Sequence, residues 1–283
     1  MRKSQIAVQL YSFRDFIKTP FSIRANARAS PSPGFQRKVV GDEGVADTFR
    51  ILHEMGYGAV QLSSSLAKMP EEELARLLAE YSLVPCSAHE NGADIVGKTE
   101  EIIAKLRKLN CFHLAYPGPH VNVTGEGEAR AFARMLNRKA QEFAEAGITL
   151  AYHNHHVEFR HFGRKTLLEL IYENAPELEG EIDTHWVQRG GGDPVRWIRM
   201  LSGRMRVLHV KDYGVDSADR SSLWNGKPVM MPVGYGNLDW NMILETAESA
   251  GVEWYVVEHD ADVGDPFESF AESLKFLTEN FVK

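Results

Sequence analysis

The sequence predicts an α/β protein, a single-domain (β/α)8 barrel of the TIM-barrel architecture. Three observations carry this. Short apolar runs alternate with longer amphipathic segments over all 283 residues. Eight such strand-then-helix units follow one another without a break in composition. Strands alternating with helices imply a parallel sheet, which eight units in about 250 residues close into a barrel. A doubly wound sheet would want a Gly-rich turn after its first strand, and "QLYSFRD" (9–15) has none.

Composition narrows the function classes. At 43% hydrophobic and 25% charged residues the chain reads as an ordinary globular protein. A formal net charge of −7 with scattered basic residues argues against nucleic acid as a partner. No apolar run reaches the roughly 18 residues of a membrane span. "MRKSQIAVQLYSF" (1–13) reads as a first strand and not a secretion signal, so a cytoplasmic location is expected. Cys86 and Cys111 sit beside apolar residues outside any C-x-x-C pattern and are expected to be reduced and buried.

Taken in order, "IAVQLY" (6–11) is the first strand. "GAVQL" (58–62) follows the helical pattern of 45–56, and "LVPCSAH" (83–89) follows that of 70–81, where Pro70 and the acids of the first turn favour a helix start. "CFHLAY" (111–116) follows 99–109, and "ITLAYH" (148–153) follows a long helix over about 125–146. "LEGEID" (178–183) follows 166–175. "MRVLHVKD" (205–212) follows 193–202, where Asp193 can cap and Pro194 fits the first helical position. "WYVVEHD" (254–260) follows 241–251, and 266–281 is a final helix. Two connections exceed a plain barrel, about 17–43 and 213–237. Both follow strands and are expected as lids over the C-terminal face, with Arg24, Arg28, Arg37 and Lys38 available to an oxygen-rich ligand.

Barrel catalysis draws on the carboxyl ends of several strands. Those ends carry His89 and Glu90, then His153, His155 and Glu158 in "YHNHHVEF" (152–159), then Asp183 and His185, His209 and Lys211, Glu258 and His259. Strands five to eight thus each end in a good ligand for a divalent cation. Alternation on a strand lets His153 and His155 share a face, as it does His209 and Lys211. His113 and His161 read as ordinary hydrogen-bonded groups. "RGGGDP" (189–194) reads as a turn before a helix and not as a phosphate cradle. His153, Asp183, His209 and Glu258 would offer two imidazoles and two carboxylates, a set suited to Mn²⁺, Co²⁺, Zn²⁺ or Fe²⁺ over Ca²⁺. Such an ion can polarise a sugar carbonyl and acidify the neighbouring C–H, provided a Glu or His takes the proton.

With "VQLYSFRD" (8–15), "YHNHHVEF", "IDTHWVQRGGGDP" (182–194), "RVLHVKDY" (206–213), "VGYGNLDW" (233–240) and "VVEHD" (256–260), the sequence resembles the xylose isomerase-like TIM barrels, the sugar phosphate isomerase/epimerase superfamily, in the subgroup with Tyr-His-Asn-His on strand five. The resemblance covers almost the whole chain. It implies a metal held by Glu, Asp, His and Glu from strands five to eight, of which Asp183, His209 and Glu258 match and the first Glu falls on His153. That departure removes one of the two bases of the epimerases, unless Glu158 or His155 replaces it. Inosose dehydratases of the superfamily also carry histidines there. The endonuclease IV branch is disfavoured, since no histidine lies between His209 and His259 and Trp186 stands where a ligand histidine would be.

The expectation is therefore a divalent-metal sugar isomerase or epimerase acting on a keto-sugar or cyclitol. Glu258 is ligand and base, Glu158 or His155 the second acid/base, and Lys211 the oxyanion or substrate contact. His89, His185, Trp186 and Tyr11 are expected against the substrate. A β-eliminating lyase, of the inosose dehydratase or 3-keto-glycoside lyase type, and a non-catalytic sugar-binding barrel are the rivals. Homo-oligomerisation is compatible with the sequence.

Overall fold

The structure, a computed structural model, describes residues 1–18, 44–66, 69–216, 222–260 and 264–283. Eight strands, β1 (Ile6–Gln9), β2 (Ala59–Leu62), β3 (Val84–His89), β4 (His113–Pro117), β5 (Thr149–His153), β6 (Glu179–Asp183), β7 (Val207–Val210) and β8 (Trp254–Val257), close into a barrel in the order β1-β8-β7-β6-β5-β4-β3-β2. Helices Gly44–Met55, Glu71–Glu80, Thr99–Lys108, Glu126–Glu145, Leu167–Asn174, Pro194–Met200 and Trp240–Ala250 precede β2 to β8 in turn, and Pro266–Phe281 follows β8. The fold is the TIM barrel that the alternation predicts.

Local chemistry explains the helix limits. Glu126–Glu145 buries Ala129, Phe132, Ala133, Leu136, Ala140 and Phe143, spaced three and four apart on one face. Leu167–Asn174 opens on a capping box: Glu169 N–H donates to the Thr166 hydroxyl, and Thr166 N–H donates to the Glu169 carboxylate. Asp193 accepts from Val195 N–H ahead of Pro194, as expected. Trp240–Ala250 stops at Gly251, whose φ of 88° is left-handed.

The chain packs as two compact units, one of Met1–Val84, Lys211–Leu238 and Val257–Lys283, the other of Pro85–Val210 and Asp239–Val256. In the first, β1 and β2 pair in parallel with Gln9 opposite Gln61, and the two buried amides hydrogen-bond. Phe13 lies 4.7 Å from Phe267 and 4.9 Å from Phe270 between ring centres, and Tyr57 donates to the Phe270 carbonyl. In the second, β3 to β7 are consecutive neighbours, with Pro117 opposite His153, His153 opposite Glu181 and Asp183 opposite His209. Arg206, just before β7, bridges Glu179 and Glu253.

Several strands are shorter than predicted. The first ends at Gln9, and Tyr11 belongs to a 3-10 turn, Leu10–Phe13. Residues 111–112, 205–206, 211–212 and 258–260 lie outside β4, β7 and β8. The 213–237 connection is not a plain loop. Asp212–Asp216 and Lys227–Met231 form an antiparallel ribbon within it. Arg24, Arg28, Arg37 and Lys38 lie outside the described residues. Among the described residues three short helices were not foreseen, Arg14–Lys18, Gly92–Gly97 and Thr184–Arg189. The "GGG" is a turn: Gly191 has φ 85°, and Gly190 and Gly192 lie so close to the Phe159 ring that a Cβ at either would collide with it. Cys86 and Cys111 are free thiols and buried, and burial pushes that of Cys111 up to about 12. Among the described residues no helix is long and apolar enough to cross a membrane.

Candidate functional site

Backbone register sets the centre of the site. His153 ends β5, Asp183 ends β6 in the row of His209 on β7, and all three side chains are buried. Their donor atoms lie within 4.8 Å of one another, and His209 Nδ1 is 3.8 Å from Asp183 Oδ2. The other Asp183 oxygen accepts from Trp186 N–H at 2.8 Å, capping the helix Thr184–Arg189. Asn154 cannot share the face of His153, and its side chain instead accepts from the Asp183 N–H at 3.1 Å.

Beside this trio lies a carboxylate that the strand-end reading missed. Glu181, two residues before Asp183 on β6, is buried with Oε1 2.5 Å from His89 Nε2, 3.0 Å from His209 Nε2 and 3.4 Å from His153 Nδ1. The His89 ring stacks on His209 at 5.3 Å, nearly parallel to it. Burial alone would raise the Glu181 carboxyl. The imidazoles of His89 and His209 outweigh it and hold the group well below the usual carboxylate range. His153 is pushed down, first by burial and then by His209, so a neutral imidazole is the favoured form. His89, expected against the substrate, is thus tied into this cluster by Glu181.

The rest of "YHNHHVEF" folds back on itself. Glu158 is buried, with Oε1 accepting from Tyr152 O–H at 2.8 Å and Oε2 from His155 N–H at 2.9 Å. Burial raises its carboxyl, and these donors oppose the shift. His155 lies past the end of β5, half-buried, its ring 5.0 Å from that of His153. Trp186 packs at 5.6 Å from His155 and stacks on His156 at 5.0 Å, while His185 is buried against the Trp186 edge.

The residues after β7 and β8 form their own constellation. Lys211 Nζ lies 2.6 Å from Glu258 Oε2 and 2.7 Å from Asp260 Oδ2, with its side chain wholly buried. Asp260 also offers its carbonyl to Arg14, whose guanidinium covers the partly exposed Tyr11 ring at 4.4 Å. His259 hydrogen-bonds Ser269 at 3.0 Å, and burial, reinforced by Lys211, lowers it to about 3. Asp212, which the sequence reading did not single out, is buried and accepts from the N–H groups of Tyr213, Gly234 and Gly236 at 2.8, 3.0 and 3.0 Å.

Comparison with known proteins adds the lineage. No curated protein matches the chain in sequence. Among solved structures, a sugar phosphate isomerase/epimerase from Parabacteroides distasonis ATCC 8503 superposes with a TM-score of 0.73 at 19% identity, covering 100% of this chain and 96% of that one. The probable 3-DHS dehydratase AsbF, involved in petrobactin synthesis in Bacillus anthracis, gives 0.67 at 15% over 98% and 99%. A xylose isomerase-like TIM barrel protein from Mycobacterium smegmatis in complex with magnesium gives 0.67 at 14% over 99% and 97%. At these identities the likeness is one of fold. The family model of the xylose isomerase-like TIM barrel matches residues 49–280, and the chain belongs to that family.

Proposed function

We propose that the protein is a divalent-metal-dependent isomerase or epimerase that moves a proton next to the carbonyl of a keto-sugar or cyclitol. The observation that carries this is the buried trio His153, Asp183 and His209, three donors suited to one cation, with donor atoms within 4.8 Å of one another. Burial keeps His153 neutral, the form that binds metals. Glu258, just past β8, is the fourth ligand of the proposal. Two imidazoles with two carboxylates suit Mn²⁺, Co²⁺, Zn²⁺ or Fe²⁺. When bound, the ion supplies Lewis acidity at a substrate carbonyl.

The chain's own residues would do the rest. Glu258 takes the proton, with Lys211 at 2.6 Å balancing its charge and directing the carboxylate. His155 is the better second acid/base. Its ring is half-buried near His153, whereas both Glu158 oxygens already hold the turn through Tyr152 and His155 N–H. Trp186 supplies an aromatic wall beside His155.

Elimination is the second reading, favoured by the histidine at position 153, where the epimerases of the family pattern have a second carboxylate. The dehydratase among the fold neighbours is consistent with it. The test is incubation of metal-loaded protein with ketoses, inososes and 3-keto-glycosides in D₂O, read by mass spectrometry. Deuterium uptake at unchanged composition supports isomerisation or epimerisation. Loss of water or an aglycone makes the protein a lyase. No reaction with any of them, with metal bound, favours a sugar-binding barrel.

A further inference from the structure

Three imidazoles converge on one buried oxygen, Glu181 Oε1, and the lengths decide what that oxygen does. Two ligands of a tetrahedral ion, each about 2.1 Å from it, lie roughly 3.4 Å apart. His89 Nε2 at 2.5 Å and His209 Nε2 at 3.0 Å are closer than that, at charge-assisted hydrogen-bond separations. Glu181 is therefore their acceptor and not a co-ligand beside them. The pair His209 Nδ1 and Asp183 Oδ2, at 3.8 Å, is the reverse case: too long to hydrogen-bond, and spaced as two ligands of one ion can be.

The geometry points to Glu181 as the positioning residue of the site, holding His209 by its Nε2–H so that the Nδ1 lone pair faces Asp183. A neutral imidazole carries one N–H, and the nitrogen that meets a carboxylate must be that one. His153 Nδ1 lies 3.4 Å from the same oxygen without a hydrogen bond to it, so Glu181 sets the nitrogens of His209 and not those of His153. One carboxylate thus holds His209, and His89, on the same oxygen and stacked on His209, closes the set from β3. The same register explains why the carboxylate comes from position 181: it lies opposite His153 on β5, and two residues later Asp183 lies opposite His209 on β7. The metal half of this inference rests on the proposed function. The tautomer half does not.

The deciding measurement is the ring-nitrogen NMR spectrum of metal-free protein labelled with ¹⁵N-histidine. His209 should show a protonated Nε2 and a bare Nδ1. A protonated Nδ1 overturns the inference without any variant being made. In Glu181→Gln, which keeps the volume, the two His209 tautomers should become mixed, and Mn²⁺ should bind about 10–100-fold more weakly. Glu181→Asp, which restores the charge on a shorter arm, should recover part of that loss. Unchanged tautomers, or unchanged Mn²⁺ affinity in folded Glu181→Gln protein, would also overturn it, because a purely structural carboxylate would shift stability alone. Wild-type protein that binds no Mn²⁺ would remove the metal centre, and the metal-free spectra would still decide whether Glu181 orders His209.

Discussion

Lys211 and Glu258 form a buried ion pair, Nζ to Oε2 at 2.6 Å, with Asp260 as a second acceptor of the same ammonium at 2.7 Å. Burying such charges is tolerable only while they stay together. Lys211→Met fits the space and strips the two carboxylates of the cation they share. It should cost about 3–5 kcal/mol in urea denaturation of metal-free protein. A cost under about 1 kcal/mol would mean that water reaches the pair and the charges are screened.

Removing a ligand should act on metal before it acts on fold. His153→Ala and Asp183→Asn should each weaken Mn²⁺ binding by more than the roughly 10–100-fold that outer-shell changes produce. Equilibrium dialysis with elemental analysis measures this. Full metal content in His153→Ala would exclude His153 from the ligand set.

His259 gives a pH signature. Its folded-state pKa, lowered to about 3 by burial and then by Lys211, lies below the roughly 6.5 of an unfolded histidine. The unfolded chain therefore takes up this proton first. The stability that the neutral ring contributes is complete above about pH 6.5 and is lost as pH falls toward 3, at up to about 1.4 kcal/mol per unit. His259→Gln keeps a partner for Ser269 and cannot titrate. Urea denaturation between pH 7 and 4 should show wild type losing stability faster than the variant, and parallel curves would contradict the assignment.

Asp212 ties the residues after the ribbon to the ribbon's own first strand. Its carboxylate accepts from Gly234 and Gly236 N–H, and Gly236 approaches so closely that a Cβ there would collide with it. Asp212→Ala strands these half-buried donors and should cost about 1–3 kcal/mol. Hydrogen exchange should report it first at the amides of Gly234 and Gly236. Exchange unchanged at those two amides would show that the turn holds without the carboxylate.

Most of the barrel is readable from sequence because most strands are apolar and several helices carry their own start signal, such as Asp193-Pro194 or the Thr166–Glu169 pair. The ribbon is not, since Asp212–Asp216 and Lys227–Met231 lack a clear alternation and their partner is supplied only by pairing. Inspecting strand ends finds His153, Asp183 and His209, which the fold brings together. It misses Glu181, although alternation puts residues 181 and 183 on one face, because Glu181 lies inside its strand and not at the carboxyl end. For the same reason it does not see that His89 meets Glu181 through Nε2. Glu158 shows a different limit. A buried carboxylate that closes a local turn and one that works on a substrate have the same one-letter code, and only the Tyr152 and His155 contacts separate them.

The spacing of the backbone positions that carry the donors follows from main-chain pairing, His153 against Glu181 and Asp183 against His209. A barrel of this kind is a socket with interchangeable pins. In the proposed metal site, exchanging a carboxylate for an imidazole at position 153 alters which ion and which proton acceptor the socket offers, while the backbone distances between neighbouring pins are inherited from the sheet. Redesign of the reaction can therefore proceed one pin at a time, provided that the hydrogen-bonded rows beneath are left alone.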